Sequence, residues 1–467
     1  MADRKSGYNK INMPKKHKKE MVQSPKGMHD MLFGDIRYLE KILERAREIS
    51  EFYGFLPIKT PHLEQAELFL RPLGETSDVV EKEMYTLRTR GGDFLALRPE
   101  GTAPAVRAYF ENGMVSWPQP VKLYYEGSFF RHEKPQRGRF REFRQFGPEI
   151  LGGDDPVLDA LIIKICFLIL KEIGFKNIMV NINSIGDKEC RPAYKKDLAG
   201  YYRKKFNYLC KDCKRKLKDN PLRLLDCKES GCAELKAQAP QMIEHLCEGC
   251  KMHFKSVLEF LDEGQIPYLL DNYLVRGFDY YGRTVFEIFL EEENKKPARP
   301  AGGEKLATEN NKTDAEPEGT AKIALAGGGR YDELATILGA KPLPAVGASL
   351  GLERLIHEMK KLDIAPKSHS ENKVFLIHIG PAAKKRSFNL MEELRKERIP
   401  AGESISRDNL KAQLNIAAKI GAKLALILGQ KEAMDGTILI RDMEEGIQES
   451  VLQTKLIEKI KAGLKKK

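Results

Sequence analysis

The segment from Val121 to Leu151 constrains this chain more than any other. Two strand-like runs, Val121 to Phe130 and Phe140 to Phe146, flank a loop from Arg131 to Arg139 that contains Gly and Pro. Such a pattern predicts a long β-hairpin. It gathers Arg131, Lys134, Arg137, Arg139, Arg141 and Arg144 within fourteen residues. Guanidiniums fixed on a rigid ladder match phosphate oxygens two at a time, so the array suits a polyphosphate. Phe143 falls at a period-2 position from which its ring could stack on a purine. The same residues, taken alone, fit a solvated basic hairpin equally well.

Four other segments favour the phosphate-binding alternative. The run Phe94 to Leu97 leads into Arg98-Pro99-Glu100-Gly101-Thr102, which sets a carboxylate beside a hydroxyl at a turn. Leu274 to Tyr281 precedes an apolar strand, Thr284 to Phe289. Gly327, Gly328 and Gly329 stand before Arg330-Tyr331-Asp332. Pro344 to Arg354 reads as a strand of small residues running into a helix, with Arg354 about one turn in.

At these residues the chain resembles a class II aminoacyl-tRNA synthetase, and within that class the histidyl-tRNA synthetase family. Motif 1 of the class corresponds to Phe52 to Pro57 and on to Thr60-Pro61, motif 2 to the arginine hairpin with Gln145 and Glu149, and motif 3 to the segment ending at Arg354. The segments Arg276-Gly277-Phe278-Asp279-Tyr280-Tyr281 and Gly329-Arg330-Tyr331-Asp332 resemble the two histidine-specific motifs. The resemblance spans nearly the whole chain. It implies an α+β fold: a catalytic domain with an antiparallel sheet flanked by helices, a helical insert, and a C-terminal three-layer α/β anticodon-binding domain. It further implies ATP-dependent activation of L-histidine, transfer to the 3′ end of tRNA(His), and a homodimer, since motif 1 forms an interface in this class.

The resemblance also assigns roles. Arg131 contacts the α-phosphate and the substrate carboxylate, Arg354 holds the far end of the triphosphate, Arg139 joins them, and Phe143 is the adenine platform. Arg276 takes the place of the family's catalytic arginine; its alternative is a surface ion pair with Asp279. Mg²⁺ arrives with the nucleotide. A neutral imidazole offers one donor and one acceptor, which a carboxylate and a phenol can satisfy. Glu149 and Tyr281 match the positions used for this. Glu100, Gly101, Thr102 and Gln145 match those around the α-amino group, with Tyr280 and Tyr331 lining the pocket. The loop from Glu133 to Arg139 faces the acceptor stem by resemblance, with Arg141 as a contact there.

Composition agrees. The 467 residues suffice for two or three domains, and the net charge of +12 fits a polyanionic partner. No stretch approaches eighteen uncharged apolar residues and no signal-peptide core opens the chain, so a cytoplasmic protein with no membrane partner is expected. Residues 1 to 22 read as a disordered basic tail, residues 23 to 363 as the catalytic domain and residues 373 to 467 as the C-terminal domain. A helix is expected from Asp35 to Glu51, with strand-like segments from there to Ile150 and a long helix from Pro156 to Ile173. Residues 292 to 320, rich in Glu, Lys, Pro, Gly and Asn, read as a disordered loop.

The region from about 187 to 265 is helical, charged and cysteine-rich, and reads as an insert. Cys210 and Cys213 form one CxxC, Cys247 and Cys250 another, with Cys227 and Cys232 between. Two such knuckles suit one structural zinc. The alternative is six small packing side chains whose spacing is coincidental. Cys166 and Cys190 read as ordinary packing residues. Two rival functions remain: the regulatory subunit of ATP phosphoribosyltransferase, which lacks the C-terminal domain, and a synthetase-like sensor attached to a kinase, for which no kinase signature appears.

Overall fold

The computed structural model describes residues 21–73, 79–134, 140–227, 229–291, 324–366 and 373–465. The chain falls into two compact units, Met1–Ala365 and Pro366–Lys467. Three expectations lie outside the described residues: the basic tail up to residue 20, Arg137 and Arg139 in the hairpin loop, and the 292–320 segment.

The first unit opens with α1 (Phe33–Phe52), then β1 (Leu56–Ile58), β2 (Leu63–Gln65), α2 (Glu67–Leu73), β3 (Thr86–Arg88) and β4 (Phe94–Leu97). Next come α3 (Thr102–Glu111), β5 (Val121–Phe130), β6 (Glu142–Leu151), α4 (Pro156–Ile173) and β7 (Ile178–Ser184). The insert carries α5 (Arg191–Lys204), α6 (Lys211–Asp219), α7 (Ser230–Lys236) and α8 (Glu248–Glu263). The unit ends with β8 (Tyr268–Leu270), β9 (Gly282–Leu290), β10 (Ala324–Arg330), α9 (Leu334–Ile337), β11 (Ala345–Gly351) and α10 (Leu352–Lys361).

Eight strands form one sheet in the order β1-β5-β6-β11-β10-β9-β7-β8, antiparallel except for the outermost pairs β1-β5 and β7-β8. Side chains alternate across a strand, so each residue's parity decides its face. Tyr124, Phe146, Ile150, Val346, Ala348, Leu350, Phe286, Ile288, Val180 and Ile182 occupy one face and join the core with α1, α4 and α10. Helix α4 is apolar on most sides because this core surrounds it. Asp155 caps it by accepting from the Val157 N–H at 3.0 Å, and Gly174, at φ 123°, ends it.

The opposite face holds Phe143, Gln145 and Glu149 on β6, with Gly347, Ser349 and Gly351 opposite them on β11. Gly327 and Gly329 continue that face on β10, and Glu287 on β9. Glycines at alternate positions leave a floor of bare backbone between the polar residues. The Gly-rich and small-residue segments thus form the central strands of the sheet.

Several expectations need correction. Strands do not fill the stretch up to Ile150, because α3 intervenes: Ala103, Ala105 and Ala108 are strong helix formers, and the Glu100 carboxylate accepts from the Thr102 and Ala103 N–H groups at 2.6 and 3.0 Å. Strand β6 starts at Glu142 and reaches Leu151, five residues past the expected end, because its far half pairs with both β5 and β11. Ile36 is exposed, so the buried stripe of α1 begins later, at Ile42. The insert's last helix, α8, sends Phe254, Val257 and Leu261 into the main core beside α4, whereas the rest packs on a core of its own around Tyr194, Leu198 and Leu225.

The second unit has β12 (Val374–His378), α11 (Pro381–Lys396), β13 (Ala401–Glu403), α12 (Leu410–Lys419), β14 (Leu424–Leu428), α13 (Gln430–Asp435), β15 (Thr437–Asp442), β16 (Gln448–Leu452) and α14 (Leu456–Lys465). Its strands are ordered β13-β12-β14-β15-β16. Leu390 and Leu394 of α11 and Ile460 of α14 pack on one side, Ala417 of α12 on the other, which gives three layers. Among the described residues no helix is long and apolar enough to cross a membrane.

Candidate functional site

The site grows from the bare face of the large sheet. Glu149 is fully buried; its carboxylate accepts from Thr102 Oγ1 at 2.7 Å and is hydrogen-bonded to the Tyr331 hydroxyl. Burial disfavours its charged form and raises its pKa to about 8 against those hydroxyl donors. Gly347 lies directly opposite Glu149, and a methyl there would overlap the carboxylate. Only glycine leaves room. The Glu100 carboxyl, buried beneath the start of α3, is also raised, chiefly by burial. A methyl at Gly101 would overlap the ring of Tyr125.

Tyr280, Tyr281 and Tyr331 close the pocket. Their ring centroids lie 4.7 Å apart for Tyr280 and Tyr281, 6.0 Å for Tyr280 and Tyr331, and 6.4 Å for Tyr281 and Tyr331. Tyr331 is aimed by its neighbour Arg330, whose buried guanidinium pairs with Asp159 and donates to the Gly153 carbonyl at 3.0 Å. An arginine in a motif can thus serve the pocket without touching it.

Arg276 pairs with Glu287 of β9, not with Asp279. Asp279 is held by Arg223 and Asn220 of the insert, at 2.9 Å each. The guanidinium carbon of Arg276 lies 5.7 Å from the centre of the Tyr281 ring, and its head crosses Gly327, where a side chain would strike it. A cavity of about 170 Å³ opens beside Arg276, Phe278 and Tyr281, with Arg191, Lys195 and Arg223 on its insert side.

Arg131 donates from Nε to the Pro99 carbonyl at 2.9 Å, and its guanidinium stands 5.2 Å from the Phe143 ring centre and 5.5 Å from that of Phe278. Gln145 reaches Ser349 Oγ at 3.4 Å. Arg354, in the first turn of α10, donates to the Ala324 carbonyl at 3.2 Å. Two further arginines of the hairpin have partners within the chain. Arg144 pairs with Glu353 at 3.2 Å and fixes the start of α10 against β6, while Arg141 donates to the Glu133 and Lys26 carbonyls. The structure therefore gathers Glu100, Gly101, Thr102, Glu149, Tyr280, Tyr281 and Tyr331 into one pocket, with Arg276 at its edge. Arg131 and Phe143 form a second group, and Arg354 stands on the far side of β11.

Residue-by-residue reading missed Tyr125. Burial pushes its hydroxyl well above the usual phenol range, and the Glu149 and Glu100 charges add to this. The signal was present in the register: Tyr125 faces Gly147 across the hairpin, and a bulky ring opposite a glycine marks a packed pocket wall. Ser349 and Glu287 were missed as well, because strand pairing alone brings them to this face.

A glycine-floored, mainly antiparallel sheet with an arginine hairpin and a strand-to-helix arginine, followed by a separate three-layer α/β unit, defines a class II aminoacyl-tRNA synthetase. Residues 27–303 match the family described as Histidyl-tRNA synthetase, and residues 373–463 match the Anticodon binding domain. A histidine--tRNA ligase of Pelotomaculum thermopropionicum is 42% identical over 431 residues, which is 92% of this chain and 95% of that protein. One from Dehalococcoides mccartyi is 41% identical, over 94% of this chain and 99% of its own. The crystal structure of apo Staphylococcus aureus histidyl-tRNA synthetase superposes with a TM-score of 0.74 at 30% identity, over 94% of this chain and all of that one. This chain belongs to the histidyl-tRNA synthetase family.

Proposed function

We propose that this chain is a histidine-tRNA ligase: it activates L-histidine with ATP as histidyl-adenylate, then passes histidine to the 3′ end of tRNA(His), releasing pyrophosphate and AMP. The observation that carries this is Glu149, a fully buried carboxylate on a glycine floor, ringed by Thr102, Tyr280, Tyr281 and Tyr331. Its oxygens are polar and its surroundings are aromatic, the combination an imidazole needs. An analogue without the ring nitrogens would leave these buried groups unpaired, a penalty that gives discrimination of about 10⁴-fold or more.

In the first step a carboxylate oxygen of histidine attacks the α-phosphorus in line and pyrophosphate leaves. Two anions must share the site, and charge grows at the α-phosphate. Arg131 holds the carboxylate and the α-phosphate, Arg276 stabilises the developing charge, and Arg139 and Arg354 bind the rest of the triphosphate, which carries Mg²⁺. Phe143 stacks on adenine. Glu100, Thr102 and Gln145 hold the α-amino group, Glu149 and Tyr281 the imidazole, and Gly101 serves the substrate site by leaving room for the Tyr125 ring beside it. Arg276 is supported in this role by its place over Gly327 beside Tyr281, with its Nε buried and without a hydrogen-bond partner. In the second step a ribose hydroxyl of the tRNA attacks the acyl carbon and AMP departs.

The second unit would take the anticodon end of the tRNA. A homodimer fits the apolar edge beside β1, where Phe52 is 83% and Leu56 53% exposed in the single chain. This activity fits a cytoplasmic protein. Exchange of pyrophosphate into ATP, tested with each of the twenty amino acids and no tRNA, should proceed with histidine alone. Folded protein that binds histidine yet catalyses no exchange would instead be a regulatory relative that kept the pocket and lost the chemistry.

A further inference from the structure

We propose that the insert holds two separate zinc ions, one in a four-cysteine centre and one in a centre of three cysteines and an aspartate that joins the insert to the catalytic sheet. The two CxxC knuckles do not share an ion. The ligand atoms of Cys210, Cys213, Cys227 and Cys232 all lie within 4.8 Å of one another, and so do those of Asp187, Cys190, Cys247 and Cys250. Cys190 is therefore no mere packing residue. The partners changed because the segment after α6 folds back to bring Cys227 and Cys232 to Cys210, while the start of α8 returns to the end of β7.

The spacing identifies the occupant. Thiolates at the corners of a tetrahedron, each about 2.3 Å from one ion, lie about 3.8 Å from each other. Cys210 Sγ and Cys227 Sγ are 3.9 Å apart, and Cys190 Sγ and Cys250 Sγ 3.8 Å. A disulfide requires about 2.05 Å, and every cysteine here is free. Backbone donors already point at the sulfurs: the Cys213 N–H lies 3.3 Å from Cys210 Sγ, the Cys210 N–H 3.4 Å from Cys232 Sγ, and the Asp187 N–H 3.3 Å from Cys190 Sγ. The Asp187 carboxylate is oriented by the Glu189 N–H at 2.9 Å and meets Cys190 Sγ at 3.3 Å. Such outer bonds fix metal ligands in place.

Soft thiolates exclude calcium and magnesium. A four-iron cluster binds each cysteine to a different iron and spreads the sulfurs more widely than a single ion does. A single zinc fits both sets, since one carboxylate oxygen among thiolates remains within its ligand range. The second centre has a structural consequence. Asp187 follows the end of β7, Cys190 precedes α5, and Cys247 and Cys250 begin α8, so one ion pins the chain where it leaves and re-enters the catalytic core. Arg191, beside Cys190, donates to the Tyr281 carbonyl of the pocket and to the Gly186 carbonyl.

The test is metal analysis by mass spectrometry of the full chain, purified without chelator from zinc-supplemented culture. Two zinc ions per chain are expected, with one left in the double variant C213S/C232S and one in C190S/C250S. Where a variant fails to fold, alkylation of the wild type decides: Cys210, Cys213, Cys227, Cys232, Cys190, Cys247 and Cys250 should resist modification until a chelator removes the metal. A single zinc per chain, iron in its place, or thiols that react freely in folded protein would overturn the assignment.

Discussion

Glu149 is the residue proposed to set specificity, and its environment makes the pocket sensitive to pH. Burial raises its pKa to about 8, so in the folded protein at neutral pH it carries a proton. A raised carboxyl pKa contributes stability that is whole below the ordinary carboxylate range and is lost as pH rises through about 8. If the bound imidazole donates its N–H to Glu149, binding must expel that proton. Histidine affinity should then rise with pH up to about 8 and level off, and calorimetry in buffers of different ionisation enthalpy should detect proton release. An affinity flat across that range would mean that the proton passes to the ring and stays in the pair. Glu149→Gln should remove the pH dependence and weaken histidine binding, with the fold kept because glutamine has the same size. The role proposed for Arg276 comes later, on charge that appears only in the transition state. Arg276→Ala should lower the exchange kcat by about 10²- to 10³-fold while the KM for histidine changes little; near wild-type exchange would refute its role.

At the scale of the strand, the pocket is made by what β10 and β11 lack. Gly347→Ala would drive a methyl into the Glu149 carboxylate, so either the carboxylate leaves its hydrogen bonds or the strands separate. A displacement of this kind costs about 10²-fold in kcat/KM for histidine. Circular dichroism and thermal melting should show the fold retained, because the methyl projects into the pocket and not into the core beneath it. Unchanged histidine kinetics in this variant would mean that the carboxylate is not held where it lies here. The sequence made these strands legible only in part. The strand-like run of β5 and the long apolar run of α4 were legible because both are local signals. Phe143, Gln145 and Glu149 are two and four residues apart, so their shared face could be read from one strand. That Ser349 and Glu287 join them depends on pairing between strands distant in the chain, which no local pattern encodes, whereas Tyr125 depends on the register of the hairpin itself. The grouping of the cysteines was hidden because CxxC spacing brings two thiols together, whereas the other members of each cluster are chosen by how the insert folds back.

The whole molecule separates two tasks. The groups proposed to bind histidine and ATP lie within Met1–Ala365, while Pro366–Lys467 is a compact unit with its own sheet and two cores of its own. A tRNA that engages both units binds with the gain that comes from tethering two weak sites on one chain. Removing one of them should cost about 10²-fold or more in tRNA affinity without altering any contact at the other. A chain ending at Ala365 should therefore keep histidine-dependent pyrophosphate exchange within about twofold of the full chain, while its KM for tRNA rises by about that hundredfold. The separation of the two readouts is what tests it. If exchange fell along with charging in a chain that still melts cooperatively, the second unit would be supporting the histidine pocket itself. If neither changed, the residues 373–463 that match an anticodon-binding domain would contribute nothing to tRNA binding in this chain.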